Sequence, residues 1–404
     1  MTPNDGPLRI LLVCHYFPPH LGGIERVVRD EAVRLAGLGH EVVVLTSAAG
    51  ADAPGEAPDS GPGGWDGVTV RRVPAWNIAE RRAGVPFPLF SPSLLIHAWR
   101  LAGWADVIHV HDCFYLSSWA AGFGSLLRRR PLVLTQHVTM VEHPSAAVSA
   151  VQRLVYGTAG RALLRRSRQV FTLNGRVTDF VLRLGAAPQS TAVLANGVDR
   201  ELYRTALDAS ERAALRERHG LAADEFCVLY VGRLVPKKGI GLLLDALDLL
   251  EAQGTGGRLV VVGTGDDAAV RAHPAVRYLG GRSAAEVAEL YRACDVFALP
   301  SVGEGFPLVV QEAMSSGIPV VTTDDPAYAP YRLDQAGVVL IPRETPALAA
   351  ALARLAGDAA ERARLGELAA AYAAERFSWS HHVGTLVEHY RRVSGRRGRG
   401  AAGR

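Results

Sequence analysis

The chain has 404 residues, 49% of them hydrophobic, with 42 Gly and a formal net charge of +4. That length exceeds what single cores usually reach and predicts two domains, and no apolar run approaches the ~20 residues of a membrane-spanning helix. Four dispersed cysteines (Cys14, Cys113, Cys227, Cys294) form no C-x-x-C pair, which argues against a zinc site, and with an N-terminus lacking a signal-peptide pattern they lead us to expect a cytoplasmic protein.

The charge is unevenly spread. Residues 1–200 carry 20 basic and 15 acidic groups, residues 201–390 carry 18 and 25, and residues 391–404 carry six arginines and no acid. A basic first half and tail suit an anionic surface or acceptor; a merely solvated basic surface has the same composition. Lysine occurs only as Lys237 and Lys238, against 42 arginines. A compact, flexible ammonium suits phosphate where arginine is a rigid fork.

Residues 8–13 read as a strand, followed by a loop from His15 to Gly23, an amphipathic helix over 24–38 and a strand over 41–46. Strand, glycine loop, helix and strand in that order match nucleotide-binding α/β folds. Gly22-Gly23 lets backbone approach a ligand closely, though an ordinary loop carries the same pair. Residues 48–67, rich in Gly, Pro and Asp, read as a surface loop, and 68–73 as a strand. The stretch Val85-Pro86-Phe87-Pro88-Leu89-Phe90 is an apolar loop, costly to expose unless it meets lipid or a partner. A helix over 94–104 carries Trp99 and Trp104, expected mostly in the core. Within 106–112 a strand holds His109 and ends at His111, where such sheets place ligands; a histidine satisfied by local hydrogen bonds is the plain alternative. Another strand over 132–135 leads to Gln136-His137. A long helix is expected over 145–166 with Ser145 as N-cap. From Pro144 to Arg176 there is no acid, while Arg153, Arg161, Arg165, Arg166, Arg168 and Arg176 are basic. That face suits anionic headgroups; arginines also complement the dipole at a helix C-terminus.

Strands over 169–172 and 191–194 and the turn Asn196-Gly197-Val198-Asp199 precede a domain boundary near residue 200. A helix over 209–218 and a strand over 226–231 lead to Gly232-Arg233-Leu234-Val235-Pro236-Lys237-Lys238-Gly239. A helix to about 250 follows, then strands over 259–262 and 276–280, which run into Gly263-Thr264-Gly265 and Gly281-Arg282-Ser283. The run Val296-Phe297-Ala298-Leu299 reads as a buried parallel strand. After the loop 301–306, Pro307 suits a helix start, Gly317 ends that helix, and 318–322 is the next strand. Glu304 and Glu312 lie in this unit. A helix N-terminus at a strand's carboxyl end favours an anion, whereas carboxylates seek hydroxyls, as on a ribose or sugar. Together they suggest a nucleotide sugar, with an N-cap acid and a solvated helix acid as the plain alternative. Helices over 346–356 and 359–374 and a last helix from 377 close the chain, and 394–404 is expected to be disordered.

The stretch from Pro300 to Val321, with Glu304-Gly305-Phe306-Pro307-Leu308 and Glu312, resembles the E-x7-E motif of the family-4 retaining glycosyltransferases. So do the loops from Phe17 to Gly23 and from Gly232 to Gly239 and the string His109-Val110-His111-Asp112. The resemblance implies an α/β GT-B fold of two doubly wound Rossmann-like domains facing across a cleft. Residues 1–200 would be the acceptor domain and 201–376 the nucleotide-sugar domain. A helix over 377–393 would cross back to the first domain, before the basic tail 394–404. It implies donor binding by Gly22, Gly23, Arg233, Lys238, Gly263, Gly265, Gly280, Arg282, Glu304, Gly305, Phe306, Pro307, Leu308 and Glu312. Arg233 and Lys238 would neutralise the diphosphate, Glu312 would hold the ribose, and Glu304 and His111 would lie by the sugar. His137 and Asn196 fall on the acceptor side. After Val321 the sequence departs from the pattern: Thr322-Thr323-Asp324-Asp325 stands where a Gly-Gly and a later Glu are common, which puts one wall of the site in doubt.

The implied activity is transfer of a hexose from a nucleoside diphosphate sugar to a hydroxyl acceptor, with retention of configuration and without a metal or other cofactor. The acceptor is open between a lipid-linked or cell-envelope glycan and a soluble one, with reversible contact to anionic membrane on the inner face of the plasma membrane. Nucleic acid is not expected as a partner. A non-catalytic nucleotide-sugar-binding protein and a GT-B epimerase or phosphorylase are the alternatives. The nearly complete motif set argues against both.

Overall fold

The computed structural model describes residues 6–20, 22–48, 67–76, 87–140, 145–303 and 305–395. Glu304, most of the loop 48–67, Val85, Pro86, Pro144 and the tail from 396 lie outside the described residues. The chain divides into two compact units, one running to Leu194 and resuming at Val383, the other Ala195–His382. The junction turn belongs to the second unit because Val198 bridges to Ser378 and its N–H donates to the Phe377 carbonyl at 2.6 Å. That tie draws the division a few residues away from positions 200 and 376. The last helix, Trp379–Val393, starts in the second unit's span and ends in the first's.

In the first unit the strands are β1 (Arg9–Val13), β2 (Glu41–Ser47), β3 (Val68–Val73), the short antiparallel pair β4 (Ala75–Trp76) and β5 (Leu89–Phe90), then β6 (Val107–His111), β7 (Leu132–Gln136), β8 (Gln169–Thr172) and β9 (Thr191–Val193). Seven of them form one parallel sheet ordered β3-β2-β1-β6-β7-β8-β9. β6 and β7 are buried along their whole length, as expected when helices cover both faces. The order reverses between β1 and β6, and the crevice at the carboxyl ends of two such strands is where doubly wound sheets place ligands. His15 and His111 stand at those ends.

The helix expected over 145–166 is broken into Ala146–Val155, a π turn Tyr156–Gly160 and Arg161–Arg166. Tyr156 turns inward against Phe114 and Phe180, and Gly160 lies so close to the Cys113 Sγ that a side chain there would crowd it. A π bulge accommodates that local packing. Ser145 does cap the helix, accepting from the Val148 N–H at 3.5 Å.

The second unit carries a six-stranded parallel sheet of β10 (Cys227–Val231), β11 (Arg258–Val262), β12 (Val276–Gly280), β13 (Val296–Leu299), β14 (Val320–Thr323) and β15 (Val338–Ile341), ordered β12-β11-β10-β13-β14-β15. β15 was not among the expected elements; four apolar residues directly after Gly337 are its only signal. Here the order reverses between β10 and β13, so the loops after Val231 and Leu299 flank the switch point. The helix after β13 spans Leu308–Ser315, one residue later than expected, with Pro307 as its N-cap at ψ 128°. Gly317, at φ 71°, ends it.

Candidate active site

Backbone hydrogen bonds join the four loops at the carboxyl edge of the second sheet. The Gly232 N–H donates to the Val262 carbonyl and the Leu234 N–H to that of Thr264, both at 2.9 Å. The Gly263 N–H donates to the Gly280 carbonyl at 2.9 Å, and the Tyr278 hydroxyl to the Gly263 carbonyl at 3.0 Å. The Val302 N–H reaches the Lys237 carbonyl at 2.9 Å, and the Arg343 guanidinium clamps the Pro236 and Pro300 carbonyls at 3.0 and 3.3 Å. Arg233, Lys238, Gly263, Gly265, Gly280 and the loop leading to Gly305 thus share one rim, although Arg233 and Gly305 are 72 positions apart in the sequence.

Two glycines make the rim possible. Gly239 has φ 77° and a side chain on it would collide with the Pro300 carbonyl. Gly263 has φ 151°, and a side chain there would collide with the Gly232 carbonyl. Both conformations and both close approaches are open to glycine alone. The short turn Pro236–Lys238 lifts Lys237 and Lys238 between these anchored ends. Arg233 is exposed, and its own carbonyl is held by the Tyr230 hydroxyl at 2.8 Å.

Glu312 is buried on the helix Leu308–Ser315, its carboxylate 3.5 Å from the Tyr291 hydroxyl, which also donates to the Val309 carbonyl at 3.0 Å. Burial, followed by the Glu312 charge, raises the Tyr291 phenol well above its ordinary range. It therefore remains a hydrogen-bond donor. Phe306 faces the core, stacked on Tyr331 at 4.3 Å, so that residue offers a ligand its backbone and not its ring. The Gln311 amide donates to the Phe306 carbonyl at 3.2 Å and fixes the turn into the helix. Arg282 leans 3.7 Å from Glu286 on the exposed start of the helix Ala284–Ala293. Asn196 is buried in the junction turn, away from this rim in sequence, and its Oδ1 has no hydrogen-bond partner among the described residues. A cavity of about 550 Å³ lies at the opposite, amino-terminal edge of the sheet, beside Arg212, Arg292, Asp295 and Gly317. Its Arg212 is already engaged by Asp295 at 2.8 Å and by the Cys294 carbonyl at 2.9 Å, so we do not place the chemistry there.

The first unit's switch point is built from buried side chains. His111 is fully buried; its Nδ1 lies 3.0 Å from His137 Nε2 and its Nε2 3.4 Å from the Glu31 carboxylate. His109, one strand position pair earlier, contacts the Tyr390 hydroxyl at 2.6 Å and the Thr135 hydroxyl at 2.8 Å. Asp112 follows at φ 65°, rare for a residue with a side chain, and its Oδ1 accepts the His137 N–H at 3.1 Å. Burial pushes the Asp112 carboxyl up to about 7, against the opposing hydrogen bonds from His137 and Val138. His15 stacks on Tyr115 at 3.6 Å, and burial lowers it to about 4. Glu31, Asp112 and Tyr390 were not anticipated. The available signal was an acid in the apolar register of the first helix, where Val27, Val28, Ala32 and Leu35 are buried with it.

Gly22 and Gly23 begin the helix Gly23–Gly37, whose N-terminus was expected to face phosphate. The Glu25 carboxylate folds back over Gly22, in contact with the space a side chain there would fill, and sits 3.2 Å from His20. Burial alone would raise Glu25, but hydrogen bonds from His20 and its own N–H, with His15 nearby, hold it below the usual carboxylate range. The positive end of that helix is therefore answered by an internal anion.

Residues 21–202 match the Glycosyltransferase Family 4 domain and residues 211–372 the Glycosyl transferases group 1 domain. A D-inositol 3-phosphate glycosyltransferase from Xylanimonas cellulosilytica is 32% identical across 98% of this chain and 99% of its own length. The chain belongs to glycosyltransferase family 4. A glycogen synthase from Mycobacterium tuberculosis is 29% identical over 92% of each chain. Among solved structures, Anabaena HepE in complex with UDP superposes with a TM-score of 0.73 at 23% identity, covering 95% of this chain and 99% of its own. Sucrose-phosphate synthase from Thermosynechococcus elongatus gives 0.70 at 22%, covering 96% and 99%. The two doubly wound units of this glycosyltransferase are thus those of the GT-B fold.

Proposed function

We propose that this glycosyltransferase moves a hexose from a nucleoside diphosphate sugar to a hydroxyl acceptor with retention of configuration and without a metal ion. The observation that carries the reading is the hydrogen-bonded rim of the second unit, which presents Arg233 and Lys238 beside glycine backbone at the switch point. Departure of a diphosphate from an oxocarbenium-like carbon needs positive charge aimed at the leaving oxygens. Arg233 and Lys238, with the N-terminus of the helix Leu308–Ser315, supply it. Glu312 suits ribose hydroxyls, and Glu304 is assigned the sugar from its position in the motif alone. In the first unit His111 and His137 are both buried, at 0% and 4% exposure, and we assign the contact with the sugar to His137, the slightly more open of the two, with His111 behind it. The HepE complexes contain UDP and UDP-glucose, which makes UDP-glucose the first donor to assay. Free nucleoside diphosphate should appear only when an acceptor is present, and turnover should survive EDTA. Release without acceptor, or loss in EDTA restored by magnesium or manganese, sinks the reading.

A lipid-borne acceptor is favoured by one face of the first unit. The helices Ser93–Trp104 and Leu116–Arg128 pack together yet expose Leu95, Ile96, Trp99, Phe123, Leu126 and Leu127. Arg128 lies 3.8 Å over the Trp99 ring. Val151 and Leu154 are exposed beside Arg153 in sequence, and Arg161, Arg165 and Arg168 are exposed as well. In the loop expected to meet lipid or a partner, Phe87 is instead packed on Phe114 at 5.1 Å, and among its described residues only Leu89 is well exposed. Trp99, expected in the core, is on the surface. Among the described residues no helix is long and apolar enough to cross a membrane. Basic residues near an anionic surface contribute about 1 kcal/mol each. Sedimentation with phosphatidylserine vesicles at low but not high salt, abolished by Trp99→Ala with Phe123→Ala, is the expected result; unchanged sedimentation of the double variant excludes this face.

A further inference from the structure

A carboxylate with no exposed surface is costly unless charge or hydrogen bonds answer it. Glu31 occupies such a place on the buried stripe of the first helix, where an apolar residue would fill the space without that cost. Its Oε2 lies 3.4 Å from His111 Nε2 and 4.0 Å from His109 Nδ1. The three side chains are close enough to hold a metal ion. That use is disfavoured because both ring nitrogens of His109 are already engaged, by Tyr390 and Thr135 at 2.6 and 2.8 Å. Only two donors remain, fewer than a closed site needs. What is left is a line, Glu31 to His111 to His137. Among the described residues Nε2 of His111 has no hydrogen-bond partner other than the carboxylate it faces at 3.4 Å, while Nδ1 meets His137 Nε2 at 3.0 Å.

We propose that Glu31 is a positioning residue for sugar transfer: its carboxylate keeps the His111 proton on Nε2, so that Nδ1 accepts the His137 Nε2–H and fixes the tautomer and ring of His137. This rests on the reading above that His137 meets the sugar. Which nitrogen of a histidine carries the proton is set by the hydrogen bond the other one makes. The second support is Asp112, whose strained backbone lets one carboxylate oxygen hold the His137 N–H at 3.1 Å. His137 is thus held at its backbone by Asp112 and at its ring by His111, with Glu31 behind. The titratable groups facing this line are His109 and Tyr390 beside Glu31, His15 beside His111, and Asp112 beside His137; Cys14 feels the Glu31 charge from further off, and Glu25 acts on His15 and Asp112.

The test measures kcat and donor KM between pH 5.5 and 9 for wild type, Glu31→Gln, Glu31→Leu, Glu31→Asp and His137→Ala, with thermal unfolding and metal content of each purified protein. Glu31→Leu and Glu31→Gln should lower kcat roughly 10- to 100-fold, less than loss of a group acting directly on the proton, with donor KM within about twofold. Glu31→Asp should restore part of the loss. Removing the anion makes the imidazolium form less favourable, so the acid limb of the kcat profile in Glu31→Gln should move to lower pH. If Glu31→Leu fails to fold, the near-isosteric Glu31→Gln still decides. Wild-type kcat and acid limb in Glu31→Gln, with His137→Ala impaired, overturns the proposal. Wild-type turnover in His137→Ala overturns instead the reading of the histidine pair. Stoichiometric metal in the wild type that is lost from Glu31→Gln overturns the positioning role in favour of a metal centre.

Discussion

The switch points of the two units are built on opposite plans. In the second unit, loops after four parallel strands are sewn together by main-chain hydrogen bonds, with the exposed Arg233 and the half-buried Lys238 on the rim they form. In the first, the corresponding place is filled by buried ionisable side chains: Glu31, His109, His111, Asp112 and His137. A backbone rim places cations at its edge at little cost in folding. In a buried side-chain network each group depends on the others. Even the two glycine loops differ, since Glu25 covers the helix start at Gly22 while the turn at Gly239 carries lysines.

If the second unit works by charge held at its rim, Lys238→Ala and Arg233→Ala should each lower kcat by on the order of 10²–10³. The melting temperature of Arg233→Ala should stay within a degree or two of wild type, because substitutions at exposed positions barely change stability. Steady-state kinetics beside calorimetry checks this, and near-normal turnover in both variants would remove the plan from consideration. Gly239→Ala sharpens the same side. It forces a side chain into φ 77° and against the Pro300 carbonyl, so both stability, by about 1–3 kcal/mol, and donor affinity should fall together. Denaturant unfolding with donor titration reads the pair.

The first unit should instead show itself through pH. The Asp112 carboxyl is raised from 3.8 to about 7 in the folded chain. A raised folded value means the native state prefers the protonated form, so the penalty grows as pH rises from about 4 and levels off above about 7. Asp112→Asn can keep the acceptor for the His137 N–H and tolerates a left-handed backbone. Its melting temperature relative to wild type should therefore increase between pH 4 and pH 8. His15 acts in the opposite sense: lowered from 6.5 to about 4, it contributes stability above pH 6.5 that is lost as pH falls toward 4. A His15→Gln variant should accordingly lose its deficit, relative to wild type, on acidification through that window. The smallest expected effect is Glu286→Gln, which releases Arg282 from an exposed pair 3.7 Å long and should shift stability by less than about 1 kcal/mol.

Local patterning was enough to recognise most strands, the two strand–glycine loop–helix units and the rim glycines. Gly-rich turns, proline and apolar runs act over a few residues, and φ-positive glycines such as Gly239 and Gly263 announce themselves by type. Arg233, Lys238 and Glu312 were singled out by the resemblance of their loops to family motifs, and Arg233 and Lys238 stand on the rim. β15 was missed because four apolar residues carry too little periodicity to separate strand from core. The surface position of Trp99 was missed because residue type biases burial without deciding it.

The buried line behind His137 belongs to a different order of information. Glu31, His111, Thr135, His137 and Tyr390 come from the first helix, two strands and the last helix, with Tyr390 281 residues from the His109 it contacts. By itself the sequence determined which residues could carry charge, turn the chain or enter a core, because those are properties of single side chains and short spans. Only the tertiary structure decided which charges lost their water together, because desolvation and pairing depend on neighbours that parallel-strand crossovers bring in from far along the chain.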